Sequence, residues 1–220
     1  MQSPPLSKTA YVVQRIREEI RSGVIVPGEP LRQTDIAERY GVSATPVREA
    51  LRLLSVDGTI SYSPHRGATV RELSADAIRD LYLLRAEIEG LATALAVERM
   101  TEDGYYRRIA ELHEDLAAMH GEGDAGEMSN RNRELHFAIY SGSSPIITSQ
   151  VERMWAALPT RLTLWRVPEY AWELTRQHEG IVEAIGARDP ELARARMREH
   201  ILAAAKFREE LSPRSMLWGC

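Results

Sequence analysis

Apolar residues recur every three or four positions along most of this chain, the spacing of amphipathic helices, and alternate only briefly. Lys8–Ser22 carries Val12, Val13, Ile16 and Ile20 on one face, and Gly23 ends the pattern. A turn-rich connector, VIVPGEPL, leads to a short helix at about Gln33–Tyr40 with Ile36 and Ala37 inward, stopped by Gly41. Ser43–Val56 reads as the next helix: Ser43 can cap it, Pro46 is tolerated in the first turn, and Val47, Leu51 and Leu54 form a stripe. Thr59–Ser63 and Ala68–Arg71 then read as two short strands around a hairpin tip, Pro64-His65-Arg66-Gly67.

After Ser74 the pattern is helical throughout. Ser74–Arg99 has a core stripe of Ile78, Leu81, Leu84, Ile88, Leu91 and Leu95. Thr101 is the expected cap of a helix at Thr101–His120, followed by a loop through Gly121, Gly123 and Gly126. Further helices are expected at Glu127–Tyr140, Pro145–Leu164, Glu169–Gly186 and Pro190–Leu211. The fold class is therefore mainly α, with a helix-turn-helix and β-hairpin wing ahead of an all-α six-helix bundle. Residues 1–73 form the first domain, 76–212 the second, and 213–220 a tail.

Composition sharpens this. At 220 residues and 44% hydrophobic, the chain can bury a sizeable core, and disorder is excluded. No run of about 18 apolar residues is present to span a membrane. The N-terminus lacks a basic region followed by an apolar one, so no secretory signal is read. Cys220, the single cysteine, can form neither an internal disulfide nor a thiolate metal site, which makes a reducing cytoplasm the expected compartment. A net charge of −4 argues weakly against nucleic acid, but it is unevenly spread: residues 1–73 carry +2 and residues 74–220 carry −6. Nearly all the basic charge is arginine, the better residue for bidentate phosphate and base contacts.

The first domain has the layout of a winged helix-turn-helix. Gly41 permits the turn, Val42 packs it onto both helices, and the following helix presents its N-terminal end to a major groove. Ser43, Ala44 and Thr45 are small enough to let a phosphate reach the unpaired N–H groups there. Arg48, one turn on, can reach a phosphate or a guanine edge, while His65, Arg66 and Gly67 offer charge and close backbone approach at the wing. LRQTDIAERYGVSATPVREALRLLSVDGTI followed by PHRGATVREL resembles the DNA-binding domain of GntR-family transcriptional regulators over residues 8–73. The resemblance implies a homodimer on a short inverted repeat of double-stranded DNA, with Arg48 and Gly67 touching DNA and Ser43, Thr45 and Pro46 at the helix start. Two positions depart from the family pattern: Ala44 stands where an arginine is usual, and Thr34 where arginine or glutamate is frequent. Arg32 is the candidate to compensate.

Five of the six histidines follow residue 74. His136, His178 and His200 each lie on the apolar face of their own helix, and Asn132 is one turn before His136. Each can be a core histidine bonded to a carbonyl or water, the reading preferred for His113 and His120. Three that meet in one bundle core, joined by an amide oxygen, would suit Zn, Ni, Mn or Fe. Residues 76–212, through NRELHFAIY and QHEGIVEAIGARDPELARARMREHI, resemble the FCD effector domain of FadR-like members, in a six-helix, VanR-type form. That resemblance implies a divalent metal held by Asn132, His136, His178 and His200, with a small organic-acid effector completing the site. Arg85 is the first candidate to bind its carboxylate, with Arg161, Trp165 and Arg166 behind it, although Arg85 can equally pair with Glu89. The leading expectation is a repressor that responds to a metabolite. The alternatives are an architectural DNA-binding dimer without effector and a metal-dependent hydrolase, the latter short of a general base because Glu134 and Glu179 point away from the metal face.

Overall fold

A computed structural model describes residues 7–63, 67–71, 73–121, 123–158 and 164–211. His65, Arg66, Arg161 and the tail from 213 lie outside the described residues. The main division into two compact units falls between Ser74 and Ala75.

The first unit opens with α1 (Lys8–Ser22), where the Ser7 hydroxyl accepts a hydrogen bond from the Ala10 amide at 3.1 Å. Next come α2 (Gln33–Tyr40), α3 (Ala44–Val56), and the antiparallel strands β1 (Ile60–Ser63) and β2 (Gly67–Val70), with Ile60 opposite Val70. Gly41 joins α2 to α3 at φ +64°, and a Cβ there would meet nothing within 4 Å, so backbone conformation rather than space requires glycine. Val12, Ile16, Ile36, Val47, Leu51, Leu54, Ile60 and Val70 close one apolar core. The connector does more than turn. The Leu31 amide donates to Ala68 O at 2.7 Å and the Val70 amide to Glu29 O at 3.0 Å, while Pro30 bridges Thr69. The proline-containing segment thus lines the edge of the wing, a place where a missing N–H is tolerated.

The second unit contains α4 (Ala75–Glu98), α5 (Asp103–Ala118), α6 (Ala125–Ser141), α7 (Pro145–Ala156), a 3₁₀ turn (Leu164–Arg166), α8 (Pro168–Gly186) and α9 (Pro190–Glu210). Six α-helices were expected and six are described. Helices α4 and α9 pack closely at Gly90, where a Cβ would stand 3.2 Å from the Arg194 carbonyl oxygen. Among the described residues no helix is long and apolar enough to cross a membrane.

Several local expectations are corrected. Helix α7 stops at Ala156 rather than Leu164, and Leu164 begins a separate 3₁₀ turn. Thr101 does not cap α5; Glu102 occupies that position, with no side-chain hydrogen bond. Gly126 is inside α6, because the Asp124 carboxylate accepts from the Gly126 and Glu127 amides and starts the helix earlier. The largest correction concerns α4. Its buried face carries Tyr82, Arg85, Ala86, Glu89, Gly90, Thr93 and Val97, whereas Leu84 is 52% exposed and Ile78, Leu81, Ile88, Leu91 and Leu95 are only half-buried. The leucine stripe therefore lies outside the bundle core of a single chain, and the polar pair Arg85 and Glu89 lies inside it.

Candidate functional site

Three helices bring one histidine each to the middle of the bundle. His136 comes from α6, His178 from α8 and His200 from α9, and all three are buried. Their ring nitrogens converge: His136 Nε2 is 3.0 Å from His178 Nε2, which is 3.1 Å from His200 Nε2. Burial pushes all three imidazoles toward the neutral form. It holds His136 and His178 well below the usual range and His200 down to about 3, with neighbouring charge from the other histidines and Arg85 acting the same way. Neutral imidazole is the form that ligates a metal.

The donor set fits a divalent cation. Three nitrogen lone pairs that meet within 4.8 Å of one another repel unless a proton or a cation lies between them. Asn132 Oδ1, one turn before His136 on α6, is buried with no hydrogen-bond partner. An orphaned buried carbonyl oxygen costs about 1–3 kcal/mol, and ligation would satisfy it. Imidazole nitrogens with one neutral oxygen belong to Zn, Ni, Mn or Fe rather than Ca.

Around the triad lie two of the expected effector candidates, Arg85 and Trp165, together with Tyr82, Tyr140, Trp155, Glu173 and Gln177, to which the sequence assigned no role at the site. Arg85 Nε donates to Glu89 Oε1 at 2.5 Å and Nη2 to Oε2 at 3.3 Å, both side chains being buried. The guanidinium lies 4.8 Å from the Trp155 ring centroid and 4.9 Å from that of Tyr82. Tyr140 OH donates to Glu89 Oε2 at 2.5 Å and lies 2.7 Å from His136 Nδ1. Gln177 Oε1 lies 3.1 Å from His200 Nδ1, and its amide nitrogen donates to Glu173 at 2.8 Å. The Trp155 ring stands 5.3 Å from His136, and Trp165, on the 3₁₀ turn, stacks 6.5 Å from His178. The signal for Tyr140 was its position four residues after His136, and for Glu89 the same interval after Arg85. Of the remaining histidines, His120 Nε2 is 2.8 Å from the Thr175 hydroxyl, and His113 is half-buried with its ring 6.5 Å from His178. Glu134 is exposed and paired with Arg131, and Glu179 is exposed, so neither faces the triad.

In the first unit, Arg32, Thr34, Ser43, Ala44, Thr45 and Arg48 are exposed and Pro46 is half-buried. Ser43 is the N-cap of α3 but makes no side-chain cap bond, so the first amides of that helix are not satisfied by their own cap. Gly67 opens β2 at φ +70°.

Comparison with known proteins accounts for both units. Residues 80–203 match the FCD domain, and residues 8–70 match the family described as bacterial regulatory proteins, gntR family. The HTH-type transcriptional regulator McbR of Escherichia coli is 35% identical over 155 residues, covering 70% of this chain and 69% of that protein. The HTH-type transcriptional repressor RspR of Escherichia coli is 25% identical over 224 residues, covering 97% and 93%. A solved structure of E. coli McbR/YncC superposes with a TM-score of 0.80 at 29% identity, over 94% of this chain and 100% of that one.

Proposed function

Because this chain belongs to the GntR family of DNA-binding transcriptional regulators, with an FCD domain as its second unit, we propose that it is a metal-dependent, metabolite-responsive repressor acting as a homodimer. The family consists of regulators rather than enzymes. The observation that carries the reading is the buried meeting point of His136, His178 and His200, with the orphaned Asn132 oxygen one turn before His136 on the same helix. Repression is supported by relatives named as repressors, such as RspR.

In this reading α3 enters the major groove of an inverted-repeat operator. Ser43, Ala44, Thr45 and Pro46 let a phosphate approach the open helix start, Arg48 reaches a phosphate or base edge, and Arg32 and Thr34 contact the backbone from α2. His65, Arg66 and Gly67 would serve the wing. In the bundle, Asn132 and the three histidines hold the metal, which supplies a Lewis-acidic anchor for a carboxylate effector. Arg85 and Trp165 stand beside that position, and Arg161 is the further candidate. Arg85 already serves Glu89 through Nε and Nη2, so an effector would engage its remaining N–H groups or compete with Glu89.

The partly exposed apolar stripe on α4, with Leu84 at its most open point, supports the homodimer. From Ile78 to Leu95 it runs about 25 Å at helical rise, and two of its flanking charges are paired within the chain, Arg79 with Glu209 and Glu87 with Arg198. An identical stripe on a second copy is apolar along its whole length and so matches it under two-fold symmetry.

A binding titration on the chain's own upstream DNA tests the reading, run with metal-loaded and chelator-treated protein across a panel of small organic acids. Release from DNA by an acid only when metal is bound is the expected result. Binding insensitive to both metal and every acid would overturn it.

A further inference from the structure

The hydrogen bonds behind the triad have only one consistent set of directions. Glu89 is buried against the Arg85 guanidinium, and a carboxylate so paired can only accept. Tyr140 has two acceptors in reach, Glu89 Oε2 at 2.5 Å and Met197 Sδ at 3.4 Å, and its single proton goes to the carboxylate, the nearer and stronger acceptor. Having donated it, the phenol oxygen can only accept from His136 Nδ1, 2.7 Å away. His136 then carries its proton on Nδ1 and turns a bare Nε2 toward the other two rings.

His200 obeys the same logic. Glu173 accepts from the Gln177 amide nitrogen, which fixes the amide orientation and aims Oε1 at His200 Nδ1. That nitrogen must donate, so His200 Nε2 is bare as well. His178 differs: its Nδ1 is buried without a partner, and its Nε2 lies within 3.1 Å of both bare nitrogens. In the metal-free chain His178 therefore keeps its proton on Nε2 and shares it with the other two.

We propose that Glu89 and Tyr140 are positioning residues that lock His136 in the Nδ1–H tautomer and thereby set the metal affinity of the triad. The inference rests on the metal reading above and adds two residues and a mechanism to it. Arg85 belongs to the same chain of contacts, because its Nε and Nη2 donate to the two Glu89 oxygens, one of which also accepts from Tyr140. Outer partners of metal-bound histidines typically change affinity by about 10–100-fold when removed.

The test uses the full chain, ¹⁵N-labelled and chelator-treated, with histidine tautomers read from long-range ¹H–¹⁵N spectra. Wild type should show Nδ1–H at His136 and His200 and Nε2–H at His178. Tyr140→Phe fills the same volume, and should leave His136 a tautomer mixture while His200 is unchanged. Its affinity for Zn(II), Ni(II) or Mn(II), measured against a chromophoric chelator, should fall by about 10–100-fold. A residue that merely packs would move neither His136 alone nor its tautomer. Nε2–H at His136 in wild type overturns the proposal without recourse to any variant. So does a Tyr140→Phe chain that binds metal as tightly as wild type with His136 unmoved. A wild-type chain that takes up none of the three ions overturns the metal reading itself, and the affinity claim with it.

Discussion

Glu89→Leu should destabilise the bundle far more than its one hydrogen bond to a neighbouring helix suggests. Glu89 has no exposed surface and Arg85 only 4%, so the substitution strands a buried guanidinium between Tyr82 and Trp155 without a counter-ion. Breaking such a pair by removing one partner costs about 3–5 kcal/mol, and the Tyr140 hydroxyl also loses its acceptor. Replacing both charges with apolar side chains removes the stranded charge. Arg85→Met combined with Glu89→Leu should therefore recover most of the loss, leaving about 0.5–1.5 kcal/mol for the one hydrogen bond that Tyr140 no longer makes. No tryptophan precedes residue 74, and Trp155, Trp165 and Trp172 lie in the second unit, so the change in tryptophan fluorescence during urea unfolding does not arise from the first unit. At a urea dependence of about 2 kcal/mol per molar, the single variant should lower the midpoint by about 1.5–2.5 M. A single variant within about 0.5 M of wild type on that same scale would refute the reasoning, as would a double variant no better than the single.

Three further outcomes are expected. His178→Ala should abolish stoichiometric metal in chelator-free preparations, measured by elemental analysis, while leaving the far-ultraviolet circular dichroism intact; retained metal would count against the triad. Arg48→Ala should weaken operator binding by roughly 1–3 kcal/mol if it reads a base edge, or reduce the salt slope by about one if it meets a phosphate. Fluorescence anisotropy across salt concentrations distinguishes the two, and unchanged affinity and slope would remove Arg48 from the interface. Leu84→Ala should loosen self-association by about tenfold or more, because a half-exposed leucine has roughly 1 kcal/mol of burial left to gain and a two-fold dimer counts it twice. Sedimentation equilibrium indistinguishable from wild type would exclude the α4 stripe as the dimer face.

The reading unit was legible because its determinants are local. Gly23 and Gly41 stop α1 and α2 through backbone conformation, and the Val47, Leu51 and Leu54 spacing fixes the inner face of α3. The histidines were legible one at a time, since each sits on its own helix's apolar face. Helical period alone placed the leucine stripe of α4 in the core, and that failed. Hydrophobicity says that a face must be buried but not against what, and in this chain the inner face of α4 holds Arg85 and Glu89 instead.

What the sequence by itself determined was the order of elements, the glycine turn between α2 and α3, the two wing strands, and the placing of one histidine each on the apolar faces of α6, α8 and α9. Only the tertiary structure decided that those three helices meet, with Nε2 atoms 3.0 and 3.1 Å apart. It alone decided too that a carboxylate on α4 reaches a histidine on α6 through a tyrosine hydroxyl. The reason is physical: caps, turns and amphipathic faces are set by neighbours a few residues apart. Hydrogen-bond direction in a buried network depends instead on atoms brought together from distant parts of the chain.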